Sequence, residues 1–161
     1  MRQKQPNSRH CFVCGVDNPV GLKLNFYITA PGEITAEIVV PEPYQGYPGI
    51  THGGIIAAML DEAAGRSQMG EPDAPRFMYT ARLNVQYRKN VPTGTPLKLV
   101  GRAGAIKKRV AEATSAIYHP DGTLLAEAEA VLVDIPADKI PLDDLDQLGW
   151  KVYPDEVEEA Q

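Results

Sequence analysis

The chain has 161 residues, 43% hydrophobic and 23% charged, with a net charge of −5. That is one ordinary globular domain, long enough to bury a core without staples. No apolar run approaches the ~20 residues of a membrane helix, and two cysteines are too few for a disulfide framework. Nine of the 21 acids but two of the 16 bases fall from Asp134 onward, leaving twelve acids and fourteen bases in residues 1–133. A body so weakly basic argues against nucleic acid and suits a small polyanion.

Residues 1–10 are polar, charged and without periodicity, and are expected to be disordered. They lack the apolar stretch of a signal peptide, so a cytoplasmic location is expected. Leu22, Leu24, Phe26 and Ile28 alternate with Lys23, Asn25, Tyr27 and Thr29, the period of a half-buried strand. Pro31-Gly32 turns the chain, and Ile34, Ala36, Ile38 and Val40 continue as the returning strand. A loop rich in proline, glycine and tyrosine follows over 41–51, then an apolar helix from about Gly53 to Arg66. In 79–87, Tyr79, Ala81, Leu83, Val85 and Tyr87 alternate with Thr80, Arg82, Asn84 and Gln86. Further strands are expected near 97–105, 110–118 and 124–133, the last two joined by the turn His119-Pro120-Asp121-Gly122. The sum is an α+β arrangement: one long buried helix wrapped by a curved antiparallel sheet of about six strands. The reading divides the chain into a disordered segment over 1–10, a folded domain over 11–135 and an acidic tail over 136–161. In that tail Leu142, Leu145 and Leu148 suggest one amphipathic turn. The tail is expected to be dispensable for folding.

The most informative stretch is His52-Gly53-Gly54-Ile55-Ile56-Ala57-Ala58-Met59-Leu60-Asp61. At the start of a helix the backbone N–H groups lack internal partners and the dipole favours negative charge, so an oxyanion fits there. Asp61 ends an apolar run, an unusual place for a carboxylate. Alone, it also reads as a surface aspartate or an ion-pair partner of Arg66 or Arg82. Glu62 lies about 100° further round the helix, so it is expected on the other side.

Cys11-Phe12-Val13-Cys14-Gly15, Asn18-Pro19, Gly21-Leu22, Tyr47-Pro48-Gly49-Ile50-Thr51-His52-Gly53-Gly54, Asp61-Glu62-Ala63 and Thr80-Ala81-Arg82-Leu83-Asn84-Val85-Gln86-Tyr87 together resemble the hotdog-fold acyl-CoA thioesterases, nearest the phenylacetate-degradation branch. The resemblance spans residues 11–133. It implies hydrolysis of acyl-CoA to free acid and coenzyme A, no metal or redox cofactor, and sites at the interface of a homodimer, either alone or in a dimer of dimers. It implies that the Gly53 N–H stabilises the oxyanion and that Asp61 is base or nucleophile. Thr80 would hold the attacking water or orient the carboxylate. A non-catalytic acyl-CoA module and a hotdog hydratase or dehydratase are the alternatives.

Around this centre, His52 is expected to orient the loop or polarise the carbonyl rather than act as base. Gly54 adds to the helix start, and Gln45 offers a side-chain amide from the preceding loop. Arg88 and the run Lys107-Lys108-Arg109 are candidates for the coenzyme A phosphates. Cys11 and Cys14 have no second cysteine pair to complete a zinc site, so they read as packing residues and no metal is expected.

Overall fold

A computed structural model describes residues 2–140 and 145–155. In chain order the elements are β1 (Gln3–Lys4), β2 (Tyr27–Ala30), β3 (Glu33–Val39), β4 (Gln45–Tyr47), β5 (Ile50–Thr51), α1 (Gly53–Gln68), β6 (Met78–Tyr87), β7 (Pro96–Lys107), β8 (Val110–Tyr118) and β9 (Leu124–Asp134). Seven strands form one antiparallel sheet in the order β1-β2-β3-β7-β8-β9-β6, and β4 pairs with β5 as a separate hairpin. No helix among the described residues is long and apolar enough to cross a membrane.

Small residues let the sheet curl around α1. Ala63 and Ala64 are fully buried, and a side chain at Gly101 on β7 would run into the carbonyl oxygen of Ala63. Polar ties lock the wrap. Ser115 Oγ donates to the Leu60 carbonyl at 2.7 Å, and Gln68 Nε2 donates to the carbonyls of Glu112 and Gly104 at 2.6 and 3.2 Å. Met59, Leu60, Phe26, Leu97, Leu99 and Ile117 fill the space between helix and sheet. The strands expected at 34–40, 79–87, 97–105, 110–118 and 124–133 are present, within two residues at each end.

The N-terminus differs from expectation. Residues 3–4 add a strand to the sheet, and Gln5 and Asn7 are 1% exposed. Asn7 Nδ2 donates to the carbonyls of Cys14 and Leu24, which satisfies backbone groups that would otherwise be buried without partners. Residues 22–26 do not run as a ladder strand: Lys23 is left-handed at φ 53, and the backbone bonds go to earlier residues, Leu22 N–H to Phe12, Leu24 N–H to Val13, and Gln5 N–H to Phe26. The strand beginning at Leu22 is therefore shortened to start at Tyr27.

The tail differs too. Asn7 and Lys151 exchange backbone hydrogen bonds at 2.9 and 3.1 Å, and Arg9 N–H donates to Leu148. Trp150 meets Phe77 edge-on at 5.2 Å and lies 5.0 Å from the Arg66 guanidinium. Leu142 lies outside the described residues; Leu148 is exposed and Leu145 half-buried. Docking is carried by Trp150 rather than by a leucine stripe. Trp150→Ala should cost about 1–3 kcal/mol in urea denaturation, since a half-buried ring gives less than a core one. Removing residues 145–161 should cost more. A truncated chain that melts with the full one would show the docking to be neutral.

Candidate active site

His52 caps α1. Its Nδ1 accepts from the Gly54 N–H at 2.9 Å, so the neutral ring carries its proton on Nε2. The Ile55 and Ile56 N–H groups both donate to the His52 carbonyl, and the His52 N–H donates to Tyr44. Among the described residues this leaves the Gly53 N–H as the open donor of the first turn. Tyr87, from the far end of β6, donates its hydroxyl to the Gly53 carbonyl at 2.8 Å and stacks against the glycine. A cleft of ≈ 550 Å³ opens here, walled by Tyr47, His52, Gly53, Tyr87, Arg88 and Lys89 among others. Gln45 sits beside it on the β4–β5 hairpin, exposed, with its backbone opposite Thr51.

Asp61 is eight residues along the helix, half-buried. Thr80 Oγ1 donates to its Oδ1 at 2.6 Å. A bulge produces this contact. Thr80 lies opposite Leu132 and Arg82 opposite Val131, so Ala81 is an extra residue in β6. Simple alternation puts Thr80 with Arg82 and Asn84; the bulge turns it onto the helix-facing side shared by Leu83 and Val85. Period-two reading missed that reversal.

Glu62 does point elsewhere. Its Oε1 accepts from Arg66 Nε at 2.9 Å, one turn on, and Arg66 is 1% exposed. Arg66 Nη1 also donates to the Pro6 carbonyl, and the guanidinium lies 5.0 Å from the Phe26 and Trp150 rings. Glu62 thus answers a buried cation, while Asp61 forms no ion pair among the described residues. One oxygen of Asp61 is held by Thr80 and the other is free to take a proton or attack.

The remaining candidates divide between the Gly53 and Asp61 parts of the helix. Arg88 is with Gly53 and pairs with Glu127 at 2.8 Å. Lys107, Lys108 and Arg109 form the exposed β7–β8 turn near the Asp61 end, where the Arg109 carbonyl accepts from Asp134 N–H and the Lys108 carbonyl from Arg76. One chain therefore holds an open backbone N–H at the start of the helix and the Asp61 carboxylate at its middle, and does not bring them together.

Beside Asp61, a cavity of ≈ 210 Å³ reaches inward to Cys11, Cys14, Glu62, Arg66 and Trp150. Cys14 is the more acidic thiol, lowered first by the neighbouring Cys11 and also by the Arg66 cation. The Cys11 thiol is pushed up, by its neighbour Cys14 first, then by burial and the Glu62 charge.

Residues 48–126 match the family model of the Thioesterase superfamily. Acyl-coenzyme A thioesterase THEM4 of Xenopus laevis is 33% identical over 97 residues, which are 59% of this chain and 42% of that protein. The match thus spans about two fifths of the length of the Xenopus laevis and Rattus norvegicus proteins. The crystal structure of a thioesterase superfamily protein superposes with a TM-score of 0.71 at 28% identity, covering 78% of this chain and 61% of that one. A Streptococcus mutans protein crystallised with acetyl-CoA superposes with a TM-score of 0.62 at 17% identity, over 70% of this chain and 88% of that one. The fold is the hotdog fold that the motifs imply.

Proposed function

Residues 48–126 match the Thioesterase superfamily and the fold is the hotdog fold, and on that premise we propose that the chain belongs to that superfamily and hydrolyses acyl-CoA thioesters at sites shared between two copies of itself. The observation that carries this is the state of Asp61: half-buried, held through one oxygen by Thr80, and without a cation. A carboxylate so held is oriented, and its second oxygen has no hydrogen-bond partner among the described residues. Glu62, beside it, is consumed by Arg66.

In the proposed reaction the thioester carbonyl lies against the Gly53 N–H, which stabilises the oxyanion as it forms. Asp61 takes a proton from the attacking water, or attacks itself, and the thiolate of coenzyme A leaves. Gly53 and Asp61 of one helix are roughly 12 Å apart at ~1.5 Å per residue, too far to share a carbonyl. β6 supports a two-chain site. It closes the sheet on one side, so one edge of this ten-residue strand has no neighbouring strand among the described residues. Tyr87 meets Gly53 and Thr80 meets Asp61, so α1 runs antiparallel to β6. A two-fold axis between β6 edges reverses the second helix and sets its Gly53 end beside the first chain's Asp61.

The test is a panel of short-chain, long-chain and phenylacetyl CoA esters followed by free-thiol release. Release supports hydrolysis, and a preference for phenylacetyl-CoA supports the phenylacetate-degradation branch. Binding without release would make the chain an acyl-CoA module, and water addition to an enoyl-CoA without release would make it a hydratase. Coenzyme A is a polyanion, so KM should rise with ionic strength while kcat changes little. Neutralising Lys107, Lys108 and Arg109 together should flatten that rise. An unaltered salt response would place the phosphates elsewhere.

A further inference from the structure

The cavity behind Asp61 contains a cluster that the hydrolytic reading does not use. Cys11 Sγ, Cys14 Sγ and a Glu62 carboxylate oxygen all lie within 4.8 Å of one another, and Cys11 Sγ is 4.0 Å from Glu62 Oε2. We propose that these three side chains bind a divalent cation of the zinc class, which clamps the N-terminal segment onto helix α1.

The donors are set as metal ligands are. Glu62 has its Oε1 turned to Arg66 and its Oε2 toward the sulfurs, so Arg66 orients the ligand through the oxygen that does not bind. The Cys11–Gly15 turn is held by its own backbone. Gly15 N–H donates to the Cys11 carbonyl at 2.8 Å, and the Cys14 carbonyl accepts from Asn7 Nδ2 at 2.8 Å. A side chain at Gly15 would strike the backbone of Cys11 and Arg9, so the turn admits only glycine there. With Zn–S near 2.3 Å and Zn–O near 2.0 Å, tetrahedral donors stand about 3.5–3.8 Å apart. From separations of at most 4.8 Å, the cluster needs to draw in by no more than about 1.3 Å. The fourth position faces the ≈ 210 Å³ cavity, where water completes the tetrahedron.

Charge gives a second argument. Two thiolates and a carboxylate carry three negative charges in a largely buried place, and Arg66 offsets one. A divalent cation offsets the other two and brings the cluster to zero, so Arg66 complements the site rather than opposing it. Ligand softness chooses the metal: two sulfurs in three donors suit zinc and exclude magnesium and calcium, which take oxygen. Glu62 is what completes the set. It is 51 residues from Cys11 in the chain, and only the packing of the Cys11–Gly15 turn against α1 brings it in.

Cobalt(II) tests this on the full-length protein, reduced, chelator-treated and titrated anaerobically. One equivalent should bind with a thiolate-to-cobalt charge-transfer band and the visible bands of tetrahedral cobalt, and zinc should displace it. Cys11→Ser, at a half-buried position, should remain folded by circular dichroism and lose the charge-transfer intensity of one thiolate. Glu62→Asp keeps the charge for Arg66 and should weaken binding by at least about tenfold. Folded, reduced protein that takes up no cobalt would overturn the proposal, as would a Cys11→Ser spectrum equal to the wild type. So would loss of two hydrogens in air by a chain that takes no cobalt when reduced, because the pair would then be a redox couple.

Discussion

Asp61→Asn should lower thioester hydrolysis by on the order of 10² to 10⁴ with folding intact. The amide keeps the shape and the Thr80 contact, since Oδ1 of asparagine still accepts from Thr80 Oγ1. It removes the ability to take a proton. Half-buried and outside any ion pair, Asp61 has no large structural role to confuse the result. Glu62→Gln makes the contrast. It strips the buried Arg66 of its carboxylate, so it should reduce stability sharply, with any loss of rate tracking the loss of folded protein. Urea denaturation and kcat/KM measured on both variants separate the two roles. If Glu62→Gln stays stable and loses rate while Asp61→Asn keeps it, the base is assigned to the wrong carboxylate.

Two inactive variants should restore activity when combined. Gly53→Pro removes the open N–H at the helix start, and the local geometry accepts it. Gly53 is the first helical residue after its cap, where proline is favoured. His52 is at φ −59, ψ 137, a conformation that a following proline allows. A β-carbon at Gly53 would meet Tyr87 at 3.4 Å, an ordinary contact. Refolding this chain with Asp61→Asn gives mixed dimers in which one site carries both lesions and the other carries neither. Random pairing puts half the chains in mixed dimers, so about a quarter of wild-type activity should return. Subunit exchange confirmed by mass, with no return of activity, would rule out the shared site.

The helix, the long strands and the wrap were legible because they depend on short-range period. Alternation in 110–118 and 124–133 is a property of neighbouring residues, and the structure keeps both as strands. The bulge at Ala81 was not legible, because one inserted residue leaves the alternating pattern of 79–87 intact and changes only its facing. Thr80 was found through the family motif, not through periodicity. The polar stretch at 2–10 was misread for a different reason. Gln5 and Asn7 look solvated by composition, yet they are buried because backbone carbonyls elsewhere need donors. Such a need belongs to the folded chain, not to the segment that fills it.

Arg66 has a consequence for the order in which the molecule forms. Its side chain is enclosed by Pro6 and Phe26 from the early chain, Glu62 from its own helix, and Trp150 from near the end. The Asn7–Lys151 pairing spans almost the entire sequence, so it closes one of the longest loops in the fold. On a ribosome, the helix and the sheet through β9 emerge and collapse while one side of a buried guanidinium still faces water. Residues 7–9 and 148–151 then meet over it in a late step, slow by contact order, that seals the body already formed.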